Sequence, residues 1–265
     1  MRDLLNHSNT LYLGTACCHD NPGRICNCYD CIRLGFFGGD ETYSCIKRLC
    51  YYTMNYGSAY VSEIYHFLSA SQILENNFND STISILSLGC GFGPDYIAME
   101  KYIYDNNLNI NFQYVGVDIE DNWNRIRQQN NGIYYTQDIL QGFDASKYEI
   151  VFLNKIYSTL KSNNQDGLFL DILQDRIDNN FLQGSYLVFN DINHRDLGRD
   201  KFHGRISQHA RTVNRYFYNI QRAYTGNYTA IDNMQNICEI PNNLAVRPKL
   251  EVTKVVFFLY QISRA

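Results

Sequence analysis

The chain has 265 residues, 45% hydrophobic and 14% aromatic, enough for one large domain, or a domain with an appendage, around a full core. A formal net charge of −4 excludes a generally basic nucleic-acid coat while leaving room for a local patch. No run of about 18 apolar residues is present, which excludes an obvious membrane span, and the polar opening Met1-Arg2-Asp3-Leu4-Leu5-Asn6-His7 is no signal peptide, so the cytoplasm is the expected compartment.

Residues 1–40 read as irregular, punctuated by Asn21-Pro22-Gly23, Gly35 and Gly38-Gly39. Seven of the nine cysteines lie in the first 50 residues: Cys17, Cys18, Cys26, Cys28, Cys31, Cys45 and Cys50. A disulfide framework needs an oxidising compartment, whereas a thiolate metal site does not. Zinc takes four thiolate or imidazole ligands tetrahedrally, so Cys26-x-Cys28-x-x-Cys31 predicts a structural zinc site. The fourth ligand comes from Cys17, Cys18, His19 or Cys45, with Cys18 preferred. Free thiols in a small core, or redox chemistry, are the alternatives. With Leu13-Gly14-Thr15-Ala16 and Pro22, this stretch looks like the opening of some metallo-β-lactamase-fold phosphodiesterases that carry a structural zinc. That family's H-x-H-x-D-H motif is absent from the chain.

Residues 41–56 and 58–76 predict two helices divided by Gly57, with Val61, Ile64, Tyr65 and Leu68 on one buried face of the second. The aromatic segment Tyr51–Tyr60 either packs helices onto a sheet or forms a lid. Residues 83–88 then predict a buried strand that runs into Gly89, Gly91 and Gly93, followed by a helix over 94–105 with Tyr96, Met99 and Ile103 inward. Glycine serves where backbone turns with positive φ or a ligand lies against the main chain, and a helix start offers unpaired N–H groups. The spacing is G-x-G-x-G; the third glycine of the dinucleotide fingerprint G-x-G-x-x-G would fall at Pro94.

Residues 112–117 predict a second strand ending at Asp118, 25 residues beyond Gly93, where an acid accepts bonds from ribose hydroxyls. A short helix over 121–131 and a strand over 133–136 follow, with Asp138 just past the strand end. The fourth strand, 148–153, ends at Asn154. Ser162 is placed to cap a helix with Phe169, Ile172, Leu173 and Ile177 inward. Residues 185–189 form a fifth strand ending in Asn190-Asp191-Ile192-Asn193-His194. A long strand over 252–260 and a weaker one within 224–240 close the chain. Strand–helix alternation of this kind predicts a doubly wound α/β fold that binds ligands at the carboxyl ends of its strands.

Leu88-Gly89-Cys90-Gly91-Phe92-Gly93, with Asp118 and Asp138 ending the next two strands, resembles class I S-adenosylmethionine-dependent methyltransferases from Ile83 to the C-terminus. The resemblance implies a seven-stranded, mostly parallel sheet whose last strand is antiparallel. It divides the chain into a Cys-rich segment (1–40), N-terminal helices (41–80) and a methyltransferase domain (81–265). S-adenosylmethionine is the implied cofactor. By position, Gly89, Gly91 and Gly93 face its methionine portion and ribose, Asp118 holds the ribose hydroxyls, Asp138 the adenine amino group, and Asn154 forms the wall beneath the sulfonium. The tyrosines of a lid would border that cation. Many family members carry an acid two residues before the first glycine; here it is Ser87.

In this setting Asp191 and His194 are the candidate general bases, with Asn154, Tyr157 and His203 also in strand-end loops. Asn154-Lys155-Ile156-Tyr157 is not the (Asp/Asn)-Pro-Pro-aromatic motif of amino methylation of DNA bases, and no cysteine follows the fourth strand before Cys238. The stretch 194–222 holds Arg195, Arg199, Lys201, Arg205, Arg211, Arg215 and Arg222 interleaved with Phe202, Tyr216, Phe217 and Tyr218. It predicts an RNA or nucleotide acceptor, or else a solvated amphipathic helix. Three functions therefore stand: methyl transfer to nucleic acid, methyl transfer to a small molecule, and a methyltransferase-like binding subunit without catalysis.

Overall fold

In the computed structural model, which describes residues 1–15, 45–127, 130–220 and 226–263, the apolar run Thr82–Leu88 forms β1 at the centre of one sheet. It pairs in parallel with β2 (Asn111–Asp118) on one side and β4 (Ile150–Asn154) on the other. Beyond β2 lies β3 (Ile133–Thr136), and beyond β4 lies β5 (Tyr186–Ile192), all parallel. The long apolar strand β8 (Lys254–Gln261) adds antiparallel to β5. On its far side are β6 (Arg211–Asn219), antiparallel to β8, and the two-residue β7 (Thr229–Ala230). The order β3-β2-β1-β4-β5-β8-β6-β7 reverses between β1 and β4. A crevice opens at such a reversal, outside the carboxyl ends of the strands, and ligands of open α/β sheets bind there.

Every residue of β4 is buried, as expected of a parallel strand covered on both faces. Side chains alternate between the two faces. Ile83, Ile85, Phe152, Val188 and Phe257 pack under α1 (Arg2–Gly14), α2 (Ile46–Ser71), α3 (Ile73–Phe78) and α4 (Pro94–Asp105). Leu86, Leu88, Val151, Leu153, Phe189 and Phe258 pack under α5 (Tyr157–Ser162), α6 (Asp166–Asn179) and α7 (Arg199–Ile206).

The structure corrects several sequence expectations. Gly57 divides nothing: α2 runs through it, because a Cβ there would lie 2.6 Å from the end of the Met1 side chain and 3.5 Å from Phe92. The helix stops instead at Gln72, which turns left-handed at φ 48°. Ser162 ends α5 and caps nothing; α6 starts at Asp166, after a left-handed Asn164. Among the described residues of 121–131 only a 3-10 turn forms, Asp121–Arg125, where a short helix was expected. The sheet has eight strands among the described residues where seven were expected, and its last strand is antiparallel as expected. Among the described residues, 194–220 holds α7 followed by β6, and 226–240 supplies only the added β7.

Of the segment 1–40, expected to be irregular, Arg2–Gly14 forms the helix α1; Cys18, Cys26, Cys28 and Cys31 lie outside the described residues. Among the described residues no group of three or more metal-ligating side chains is present, and no helix is long and apolar enough to cross a membrane.

Candidate functional site

The turn after β1 carries Gly89, Gly91 and Gly93 at φ 65°, 51° and 82°. Two of these glycines have separate reasons. At Gly89 a Cβ would fall 2.4 Å from Ile156, in the loop after β4, so the two strand-end loops meet at the crevice with no room for a side chain. At Gly91 a Cβ would meet Trp123 at an ordinary 3.7 Å, so it is the backbone at φ 51°, not lack of space, that calls for glycine there. The turn is pinned from beneath. Cys90 N–H donates to the Val117 carbonyl (3.0 Å) and Gly93 N–H to the Cys90 carbonyl (2.8 Å). Arg127 donates to the Gly91 carbonyl (2.7 Å) and to Cys90 Sγ (3.2 Å), with its guanidinium 4.3 Å from the Tyr134 ring centre. Burial pushes the Cys90 thiol well up, so it packs as a neutral group.

Asp118 ends β2 against this turn. Its Oδ2 accepts from Gly91 N–H (2.8 Å) and its Oδ1 from Glu120 N–H (3.0 Å). Burial raises the carboxyl's pKa and those backbone bonds draw it back. Two bonds leave lone pairs spare on a carboxylate, which offers about four acceptor sites. Asp138 is partly buried and caps the short 3-10 turn Ile139–Gln141 by accepting from Leu140 N–H at 2.9 Å. Asn154 is buried at the end of β4, and neither atom of its amide finds a partner among the described residues. A buried unpaired amide costs about 1–3 kcal/mol, so it is a strong pointer to a ligand at this spot.

Asp95 was missed in the sequence. It stands in the first turn of α4, fully buried, accepts from the Tyr114 hydroxyl at 2.8 Å and lies beside Ser87. A carboxylate is therefore present under the glycine turn, supplied by the helix rather than by the strand. Burial raises its pKa, while Ser87 and Tyr114 oppose the rise.

One stripe of α2 spans the crevice. Tyr52, Tyr56, Tyr60, Glu63 and Phe67 recur at three- and four-residue spacing and so share a face. Tyr52 meets Trp123 edge-on at 6.1 Å, beyond β2. Tyr56 and Tyr60 stack at 5.9 Å, and Tyr60 lies 5.4 Å from Lys155 Nζ, just past β4. Phe67 stacks on Phe257 of β8 at 4.5 Å. Between these points buried Glu63 meets Lys155 Nζ at 2.7 Å. Lys155 is held at φ 55°, an unusual backbone for a residue with a side chain. Asp191, buried on β5, accepts from Ser158 N–H (2.8 Å) and Ile192 N–H (2.7 Å). Burial raises both carboxyls' pKa values, with Lys155 pulling each back.

Of the two candidate bases, Asp191 lies within electrostatic reach of the Lys155–Glu63 pair but faces α5, on the other side of the sheet. His194 is exposed, with Nδ1 3.8 Å from the Asp196 carboxylate. His203 hydrogen-bonds the Tyr260 hydroxyl (2.9 Å) from the helix layer on the other face, and burial lowers its pKa. Four cations of the basic stretch sit in local pairs: Lys201 with Asp166 (2.7 Å), Arg205 with Asp171 (2.8 Å), Arg199 with Asp200 (3.4 Å) and Arg211 with Gln261. Arg215 lies over Tyr228 at 4.6 Å. Of the four aromatics expected to stack on bases, Phe202, Tyr216 and Phe217 are buried in the core and Tyr218 is partly buried against it.

No protein-family model matches the chain, and no curated protein is similar to it. Among solved structures it is similar to the N-methyltransferase NodS from Bradyrhizobium japonicum WM9 in complex with S-adenosylhomocysteine, at 12% identity over 89% of this chain and 99% of that one, TM-score 0.47. It is similar to the plantazolicin methyltransferase BpumL at 13% identity over 80% and 87% of the two chains, TM-score 0.47. A SAM-dependent methyltransferase from Archaeoglobus fulgidus shares 11% identity over 74% and 94%, TM-score 0.42.

Proposed function

We propose that this chain is an S-adenosylmethionine-dependent methyltransferase whose acceptor is a small molecule enclosed beneath α2. The observation that carries the reading is the unpaired, buried amide of Asn154, set at the β1/β4 reversal beside a glycine turn. The donor set fits the cofactor. Gly89, Gly91 and Gly93 form the turn over which it would lie, the spare lone pairs of Asp118 suit ribose hydroxyls, Asp138 borders the next strand end, and Asn154 faces the transfer position. When bound, S-adenosylmethionine supplies an electrophilic methyl carbon on a sulfur that leaves well.

The protein's part is then alignment and exclusion of water. The tyrosines of α2 wall the crevice, and their ring faces favour a cation. Asp118 fixes the nucleoside end while Asn154 fixes the reacting end. The Glu63 carboxylate takes a proton from an acceptor that carries one. A small acceptor is favoured over RNA because Phe202, Tyr216 and Phe217 of the basic stretch are committed to the core, while Lys201 and Arg205 pair with Asp166 and Asp171.

Calorimetric titration with S-adenosylhomocysteine tests the reading. One site is expected, and Asp118→Ala should weaken binding by about tenfold or more, the loss of charge-assisted bonds, with an unchanged far-UV spectrum. Absence of binding to the folded wild-type protein would contradict it.

A further inference from the structure

Three glycines at alternate positions, each at positive φ, make Gly89–Gly93 the backbone of the site with the most freedom to move. Glycine visits positive and negative φ about equally, so the shape of the turn has to be imposed by groups around it. The two polar groups of Gly91 show where that constraint comes from. Its N–H donates to Asp118 Oδ2 (2.8 Å), and its carbonyl accepts from Arg127 Nε (2.7 Å). The peptide units on both sides of the Gly91 Cα are therefore held, one by the acid at the end of β2 and one by a cation.

Arg127 is itself fixed on several sides. A second nitrogen donates to Asn124 Oδ1 (2.7 Å), in the 3-10 turn after β2, and the third to Cys90 Sγ (3.2 Å). Its guanidinium lies over the Tyr134 ring of β3, 4.3 Å from the centre. Tyr134 and Cys90 meet here because β2 carries a glycine at 116: a Cβ on it would fall 2.7 Å from both Cys90 Sγ and the Tyr134 ring. A glycine inside a strand marks such a close approach. An ammonium could replace one of these bonds, but not the planar fork that makes all three. The same cation acts on Asp118: burial raises that carboxyl's pKa, and the Glu120 and Gly91 N–H groups and then Arg127 oppose the rise.

We propose that Arg127 is a positioning residue for the nucleoside. By holding the Gly91 carbonyl it fixes the Gly91 N–H against Asp118, and so sets the carboxylate that receives the ribose hydroxyls. The proposal rests on the S-adenosylmethionine reading above and adds to that site a residue acting through Asp118.

Calorimetry with S-adenosylhomocysteine and its 2′-deoxy analogue separates this role from general support of the turn. Loss of support weakens both nucleosides alike, whereas loss of the Asp118 geometry removes the preference for the 2′-hydroxyl. The wild type should prefer S-adenosylhomocysteine about tenfold, the scale of one charge-assisted bond. In Arg127→Lys and in Arg127→Ala the preference should fall to about twofold, with an unchanged far-UV spectrum. The double variant Arg127→Lys/Asp118→Ala should bind S-adenosylhomocysteine within about twofold of Asp118→Ala alone, because residues acting as a unit do not add. A preference that stays near tenfold in a folded variant, additive losses, or a wild type indifferent to the 2′-hydroxyl overturns the proposal. Failure of both nucleosides to bind the folded wild type overturns the cofactor reading beneath it, so the two failures are distinct.

Discussion

Asp95 shows how a residue gains meaning only from what surrounds it. In the sequence it is a polar residue in the first turn of a helix; in the fold it is a buried carboxylate against Ser87 and Tyr114. Burial raises its folded pKa above the ordinary aspartate value of 3.8, so the folded protein binds this proton more tightly than the unfolded chain does. The stability it contributes is therefore present below that ordinary value and is lost as pH rises through the folded one. Asp95→Asn mimics the protonated state and keeps an acceptor for Tyr114. Urea unfolding at a series of pH values should find the variant more stable than the wild type at pH about 7.5, with the gap closing toward pH about 4.5. A wild type that is the more stable at pH about 7.5 would show that its hydrogen bonds outweigh burial.

The element that organises the site is α2. Its stripe from Tyr52 to Phe67 reaches from Trp123, past β2, to Phe257 on β8, and it carries Glu63 to a strand end more than 80 residues away in sequence. Gly57 lets the helix approach Met1 and Phe92 closely, and Phe92 lies between Gly91 and Gly93 in the ligand turn. Gly57→Ala should leave stability within about 1 kcal/mol of wild type, since the gain in helix propensity offsets a shift of the flexible Met1 side chain. Gly57→Leu cannot be absorbed that way and should lose about 1–3 kcal/mol by overpacking. Urea midpoints for the two variants check this; equal, negligible losses would mean that the helix does not press on the turn. Propensity misread this residue because a glycine looks like a breaker from sequence alone, whereas here tertiary packing chose it. β6 was missed for a related reason. Arg211 and Arg215 gave it a basic look, while its pairing with β8 buries Tyr216 and Phe217.

At the scale of the molecule, the parallel half of the sheet was legible because buried parallel strands are largely apolar runs with polar ends, as at Asp118 and Asn154. Those same ends made the glycine turn and Asp118 legible, since local spacing places them together. The acceptor pocket was only half legible. Asp191 could be named from its strand end, but Glu63 and Lys155 are joined by packing between α2 and the end of β4, which no local pattern encodes. The crevice between β1 and β4 is where both halves meet.

A crystal structure with S-adenosylhomocysteine bound tests this arrangement most directly. The nucleoside should lie across the Gly89–Gly93 turn, with its ribose hydroxyls on Asp118 and its sulfur facing the Asn154 amide. A nucleoside seated elsewhere, or one that fills the turn while Asp118 and Asn154 stay unbonded, would contradict the account.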